Sequence, residues 1–249
     1  MRTPTAAEWL QAWERGGDAS AAARSLYLLG ASDDALDDET LLRLPLGRRD
    51  ALLLRLHARL FGRRLDGVAQ CPACGAAAEA GFDADDLLLE PGDGVAVSAG
   101  GHELQSAAHG LCVRFRPVDC GDLLALQGCA DVADARRLLV ERCVIEATST
   151  RDGEPVTVLP DALQAELAQA MAAADPQADL QLAFHCPECA HDWEPGFDIA
   201  RFLWQELHAW ALRLLRDVDT LARHYHWSEA DILAMTPRRR QAYLEQCAS

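Results

Sequence analysis

Lysine is missing from this chain of 249 residues: all 23 basic side chains are arginine. Aromatic residues are scarce at 6%, so a core must rest mainly on small and branched aliphatic side chains. No apolar run approaches the roughly 20 residues of a bilayer-crossing helix; stretches such as Ala51 to Leu54 are far shorter, and no membrane partner is expected. The chain does not open on a basic segment followed by an apolar one, so export by a signal peptide is not expected either. There is no Ser or Cys nucleophile elbow, no His-Glu-x-x-His and no phosphate-binding Gly loop. No pair of acids is placed for acid–base work. Catalysis and a small-molecule substrate are therefore not expected.

What is present is enough to fold. Half of the residues are apolar, which excludes a mainly disordered protein and supplies a sizeable core. The abundance of Ala, with Arg as the sole strong base, reads as high-GC coding bias before it reads as function. Nine cysteines, an odd number, point to a reducing compartment, with metal ligands or buried thiols in place of a disulfide framework. The expected location is the bacterial cytoplasm.

Charge is unevenly spread. Residues 1–70 hold ten Arg against ten acids, and residues 199–249 hold seven Arg against six. Residues 71–198 hold six Arg against 23 acids, a net of -17 in a chain whose total is -16. A surface of that sign repels phosphate backbones, which need several basic contacts, so nucleic acid is not an expected partner.

The first 66 residues read as helices. Thr5-Ala6-Ala7-Glu8 is a capping box, with Trp9, Leu10 and Trp13 following on one face. Gly16-Gly17 stops that helix; Asp18 or Ser20 starts a second over 21–29. Asp33 to Glu39 reads as an acidic turn. A third helix spans Gly47 to Phe61, with Leu52, Leu53, Leu56 and Leu60 on one side and Arg48, Arg49, Arg55 and Arg59 on the other. Further on, Val95 to Val97 and Leu111 to Arg116 alternate like half-buried strands, with Gly100-Gly101 as a turn. Asp119 caps a helix over 121–126. Further helices are predicted over 131–145 and from Pro160 to Ala174, and a strand over 180–184. A long helix from Asp198 to about Tyr225 carries Leu203, Leu207, Trp210, Leu214, Val218, Leu221 and Tyr225 on one stripe. A short helix begins at Ser228, and Thr236-Pro237 opens the last.

Two Cys-Pro-x-Cys knuckles stand out, at Cys71/Cys74 and Cys186/Cys189. Neither alone completes a tetrahedral zinc site; together they supply its four ligands. The knuckles are also copies. Cys71, Cys74, Gly81, Phe82 and Asp83 match Cys186, Cys189, Gly196, Phe197 and Asp198, all at an offset of 115. Each copy reads as knuckle, strand, Gly-Phe-Asp corner, helix start. A redox Cys-x-x-Cys follows a strand and opens a helix, whereas each pair here precedes the strand. One structural Zn2+ bound by Cys71, Cys74, Cys186 and Cys189 is the expected cofactor, with His185 and His191 as adjacent alternates. Cys112, Cys120, Cys129, Cys143 and Cys247 read mainly as core thiols; Cys112 and Cys120 with a His form the weaker option of a second site.

The expected fold class is α+β: mainly helical N- and C-terminal parts around a small zinc-ribbon-like β unit split by a long α/β insertion. In segments, this gives an N-terminal helical region over 1–66, a split ribbon from 67–90 plus 180–198, an acidic α/β insertion over 91–179, and a C-terminal helical region over 199–249. Trp204, Trp210, Tyr225 and Trp227 read mainly as a core stripe, with a partner-binding surface as the weaker reading. Trp227 with Arg238, Arg239 and Arg240 is the candidate protein-binding surface, because Trp and Arg are what interface centres favour.

The run Leu44-Pro45-Leu46-Gly47-Arg48-Arg49-Asp50 with Leu53 and Phe61, leading into Cys71-Pro72-Ala73-Cys74-Gly75, is similar to a family of baseplate and hub assembly proteins. These serve contractile phage tails, T-even phages among them, and bacterial contractile injection systems. Phe197-Asp198, Phe202-Leu203-Trp204 and Trp227 to Met235 resemble the same family. The likeness covers most of 40–90 and 180–245; the rest matches in general character only. Ala190, where the first knuckle has Gly75, departs from the pattern and loosens a turn without removing a ligand. The resemblance implies a non-catalytic protein that helps to assemble, or joins, the baseplate hub of a tail-like particle, with other baseplate or hub proteins as partners. The rival classes are a nucleic-acid-binding zinc ribbon, which needs a basic face near the knuckles, and an enzyme with an unrecognised site.

Overall fold

A computed structural model describes residues 4–89 and 101–247. The fold is mixed α+β. In chain order its elements are α1 (Ala6–Gly16), α2 (Ala21–Ser32), α3 (Asp38–Leu42), α4 (Leu46–Leu60), β1 (Arg64–Gln70), β2 (Ala77–Asp83), β3 (His102–Ser106), β4 (Leu111–Phe115), α5 (Cys120–Ala125), α6 (Val132–Cys143), β5 (Val144–Ser149), α7 (Leu163–Ala174), β6 (Phe184–His185), β7 (Asp192–Trp193), α8 (Ile199–Tyr225), α9 (Glu229–Leu233) and α10 (Pro237–Cys247). The chain divides into two compact units, one of residues 1–37 with 199–249 and one of residues 38–198. The segment 1–66 is therefore shared, with α1 and α2 in the first unit and α3 and α4 in the second.

In the first unit the Thr5–Glu8 capping box forms: Thr5 Oγ1 accepts from the Glu8 amide at 3.3 Å while the Thr5 amide donates to Glu8 Oε2 at 2.7 Å. Leu10 of α1 packs with Ala211 and Leu214 of α8. Gly16 is required where α1 ends, because a Cβ there would lie 2.3 Å from the Trp204 ring. Arg24 covers that indole at 4.8 Å. Towards the end of α8, Val218 and Leu221 are closed over by Ile232 of α9 and by Tyr243 and Leu244 of α10.

Among the described residues the second unit holds three small antiparallel sheets, β1-β2, β3-β4-β5 and β6-β7. Leu111, Val113 and Phe115 of β4 and Ala147 of β5 meet Leu163 and Leu167 of α7 in one core. Asp122 ties the end of β4 to α5 and α6. Its carboxylate accepts from Arg116 at 2.6 and 2.9 Å and from Arg142 at 2.6 Å, and its backbone and side chain form a capping box with Asp119. Burial works to raise its pKa, but the Arg116 guanidinium, the Asp119 amide and Arg142 hold the carboxyl well below the usual range.

The structure departs from the sequence expectations in several places. The helix expected over 131–145 stops at Cys143, and Val144 onward forms β5, since β-branched Val144, Ile145 and Thr148 suit a pleated edge and Ala147 is needed in the sheet core. Strands β1 and β3 and helix α3 were not foreseen. Arg49 is buried, not on an outer face, and pairs with Asp50 at 2.7 Å; burial pushes Asp50 up to about 6. After the first Gly-Phe-Asp corner the chain enters turns over 84–88 in place of a helix, because Asp83 Oδ1 accepts from the Asp85 amide at 2.9 Å and closes a turn on itself. The strand expected at Val95 to Val97 lies outside the described residues.

Candidate metal centre

The site stands on two hairpins, β1-β2 and β6-β7, whose tips are the two knuckles. The copies run deeper than the knuckles. Ala69 pairs with Ala78 and Gln70 with Ala77; at the same offset of 115, Phe184 pairs with Trp193 and His185 with Asp192. Asp66 faces Gly81, and Gln181 bridges Gly196. Leu65 faces Phe82, and the Phe197 amide donates to the Leu180 carbonyl at 2.7 Å. The register is thus the same throughout, although the strand expected over 180–184 is reduced to Phe184–His185 with a separate bridge. Pro195 explains the reduction: its carbonyl accepts from Leu182 at 3.1 Å, but it has no N–H to return the bond.

Each tip is closed in the same way. The Cys71 amide donates to the Ala76 carbonyl at 2.8 Å and the Gly75 amide to the Cys71 carbonyl at 2.9 Å. In the second, the Cys186 amide donates to His191 at 2.9 Å and the Ala190 amide to Cys186 at 3.0 Å. Gly75 has φ +77 and Ala190 φ +58, so Ala190 takes the left-handed turn that its glycine counterpart takes without strain.

All four sulfurs lie within 4.8 Å of one another. Cys71 Sγ stands 3.6 Å from Cys189 Sγ, and Cys74 Sγ 3.6 Å from Cys186 Sγ. A tetrahedral zinc with Zn–S bonds of about 2.3 Å sets its sulfurs about 3.8 Å apart, so the arrangement fits a metal. Cys71 and Cys186 are buried, and Cys74 and Cys189 exposed. Backbone amides point at the sulfurs. The Cys189 and Glu188 amides hold the Cys186 thiol down to about 7. Cys189 accepts from the His191 amide, yet its sulfur neighbours Cys74, Cys186 and Cys71, together with desolvation, push it up to about 12. Sulfurs this close can all ionise only with a cation among them, and that is the chemistry this donor set offers. The four cysteines could hold a metal ion; its identity as zinc is taken up below.

Inside the hairpins, Phe184 stacks on Trp193 at 5.5 Å and meets Phe82 edge-on at 5.7 Å, over Ala78 and Leu182. Phe82 was marked by the Gly-Phe-Asp corner, whereas the stacking of Phe184 on Trp193 was not foreseen, because the 115-residue offset aligns these two with Ala69 and Ala78.

The alternates play other parts. His185 Nδ1 lies 2.7 Å from Asp192 Oδ1, and His191 stacks on Trp193 at 6.2 Å. Among the described residues, Cys112 and Cys120 join no cluster with a His. Cys120 and Cys143 are buried, and burial first of all pushes their thiols up to about 11 and about 12, which suits inert core positions. The C-terminal surface is only partly available. Arg240 is buried at 6% exposure with its Nε 3.8 Å from Asp217, because α10 lays that position against α8. Trp227 is half-buried, stacked on Tyr225 at 4.3 Å and edge-on to Tyr243 at 4.8 Å. Arg238 and Arg239 are exposed, the latter 5.7 Å from the Tyr243 ring centre.

No family model, curated protein or solved structure matches the chain.

Proposed function

We propose that this chain is a non-catalytic assembly or structural protein whose four cysteines hold one Zn2+ as a staple of a split zinc ribbon. The observation that carries this reading is the closed donor set of Cys71, Cys74, Cys186 and Cys189. Structural zinc sites have four protein ligands, whereas catalytic ones keep a position open for water or substrate. A tetrahedral sulfur set also suits iron, so the metal is tested directly: elemental analysis of the freshly purified protein should give about one zinc per chain. A chain free of metal, or one holding iron, overturns the zinc assignment.

The resemblance read in most of residues 40–90 and 180–245 to baseplate and hub assembly proteins supports a role for this staple in such an assembly. In this reading the protein acts in the cytoplasm, beside or within the hub of a contractile tail-like particle, with hub or baseplate proteins as partners. Acidity favours protein over nucleic acid, since residues 38–198 carry 13 Arg against 27 acids. The deciding experiment is affinity purification of the tagged protein from cells producing tail-like particles. Enrichment of hub components supports the reading. Their absence, together with salt-sensitive capture of duplex DNA, replaces it with the nucleic-acid class.

A further inference from the structure

The second unit carries an apolar groove that its own chain leaves open. Helix α6 buries only Cys143 of its residues, although Val132, Leu138, Leu139 and Val140 lie along it. Val132 is 77% exposed, and Val158 beyond the neighbouring loop is 80% exposed. Between α6 and α7 runs a groove of about 410 Å³, walled by Val132, Leu139, Val140, Ala168, Met171 and Ala172. Arg136, Val140 and Gln164 also line a second hollow of about 950 Å³. The outer positions of α7 are small: Ala165, Ala168 and Ala172 are all exposed. Small side chains let a second helix approach closely, and twelve residues of α6 offer it about 18 Å of length.

We propose that this groove docks an amphipathic helix of a partner protein with a basic polar face. Charge selects that occupant. Glu141, Asp161, Asp175 and Asp179 stand at the two hollows, against Arg136 and Arg137, and Arg137 already pairs with Asp134. The surrounding unit has a net charge of -14, from 13 Arg and 27 acids. A basic helix is drawn to such a surface and buries its leucines between α6 and α7. A second copy of the chain would bring like charge against like. Nucleic acid would meet aliphatic walls within an acidic field. The proposal is independent of the metal.

The probes are two four-turn peptides with Leu at helical spacing, one with Arg on its polar face and one with Glu. Fluorescence anisotropy on the full-length protein at low salt should show the Arg peptide binding at least about tenfold more tightly than the Glu peptide. Ala168→Gln, at an exposed position in the groove, should weaken the Arg peptide about tenfold, while Glu79→Gln on the distant outer face of β2 should not. Circular dichroism confirms that both variants fold. Equal binding of the two peptides, no binding of either, or indifference to Ala168→Gln overturns the proposal. So does a dimer that Ala168→Gln dissolves, since the groove is then covered by a second copy.

Discussion

The two hairpins share a register but not a filling. On the inner face of the first stand Gly67, Ala69, Ala78 and Ala80; at the corresponding positions of the second stand Leu182, Phe184, Trp193 and Pro195. Leu65 and Phe82 keep their identity as Leu180 and Phe197. One half supplies small residues and the other large ones: a Cβ on Gly67 would lie in ordinary contact, 3.5 Å, with the tip of Phe184, and Ala78 is buried with Leu182 and Phe184. The small face of the first hairpin thus receives the larger side chains of the second. The backbone differs too. The first has a continuous seven-residue ladder, whereas the second pairs only Phe184 with Trp193 and His185 with Asp192, with a separate bridge from Gln181 to Gly196.

Removing the metal should have the largest effect. Structural zinc couples about 10 kcal/mol or more of binding to folding in small zinc domains, so chelation or Cys186→Ser should lower the melting temperature markedly. Amides of 180–197 should exchange before those of 64–83. Equal loss of protection in both hairpins would remove the distinction drawn between them. Phe184→Ala comes next, at about 3–5 kcal/mol for a large buried aromatic. Ala78→Phe should cost about 1–3 kcal/mol by overpacking. Chemical denaturation of the double variant should show a loss smaller than the sum of the two; strict additivity would mean that the halves do not interlock. Smaller still is the knuckle comparison. Ala190→Gly should stabilise and Gly75→Ala destabilise, each by about 1 kcal/mol, since only glycine takes the left-handed turn freely. Effects of the same sign would show that the two turns are not equivalent. Least of all, Arg63→Ala should change stability by about 0.5 kcal/mol or less, because its pairs with Asp83 and Asp85 are exposed.

Much of this was legible in the residues. The knuckle pairs and their common offset located the four cysteines, and the Thr5, Ser20, Asp119 and Ser228 caps marked true helix starts. Short strands were harder to see. Arg64–Gln70 is half polar and holds a glycine, so its alternation is faint until its partner is known. Val144 continues a helical pattern until the sheet claims it. Burial of Arg49 and Arg240 was hidden as well, because an arginine reads as surface until a carboxylate such as Asp50 or Asp217 is seen beside it. Tertiary partners settled these points, and a linear sequence carries them only weakly.

The separation of the knuckles also has a meaning in time. Cys74 and Cys186 lie 112 positions apart. At ribosomal speeds of about 5–20 residues per second, the second knuckle emerges about 6–22 s after the first. Through that interval the nascent chain presents two thiols with half a coordination shell, while the intervening α/β segment has time to fold. A metal held by these four cysteines would be captured only once the second hairpin had emerged, late in synthesis rather than at the start of folding.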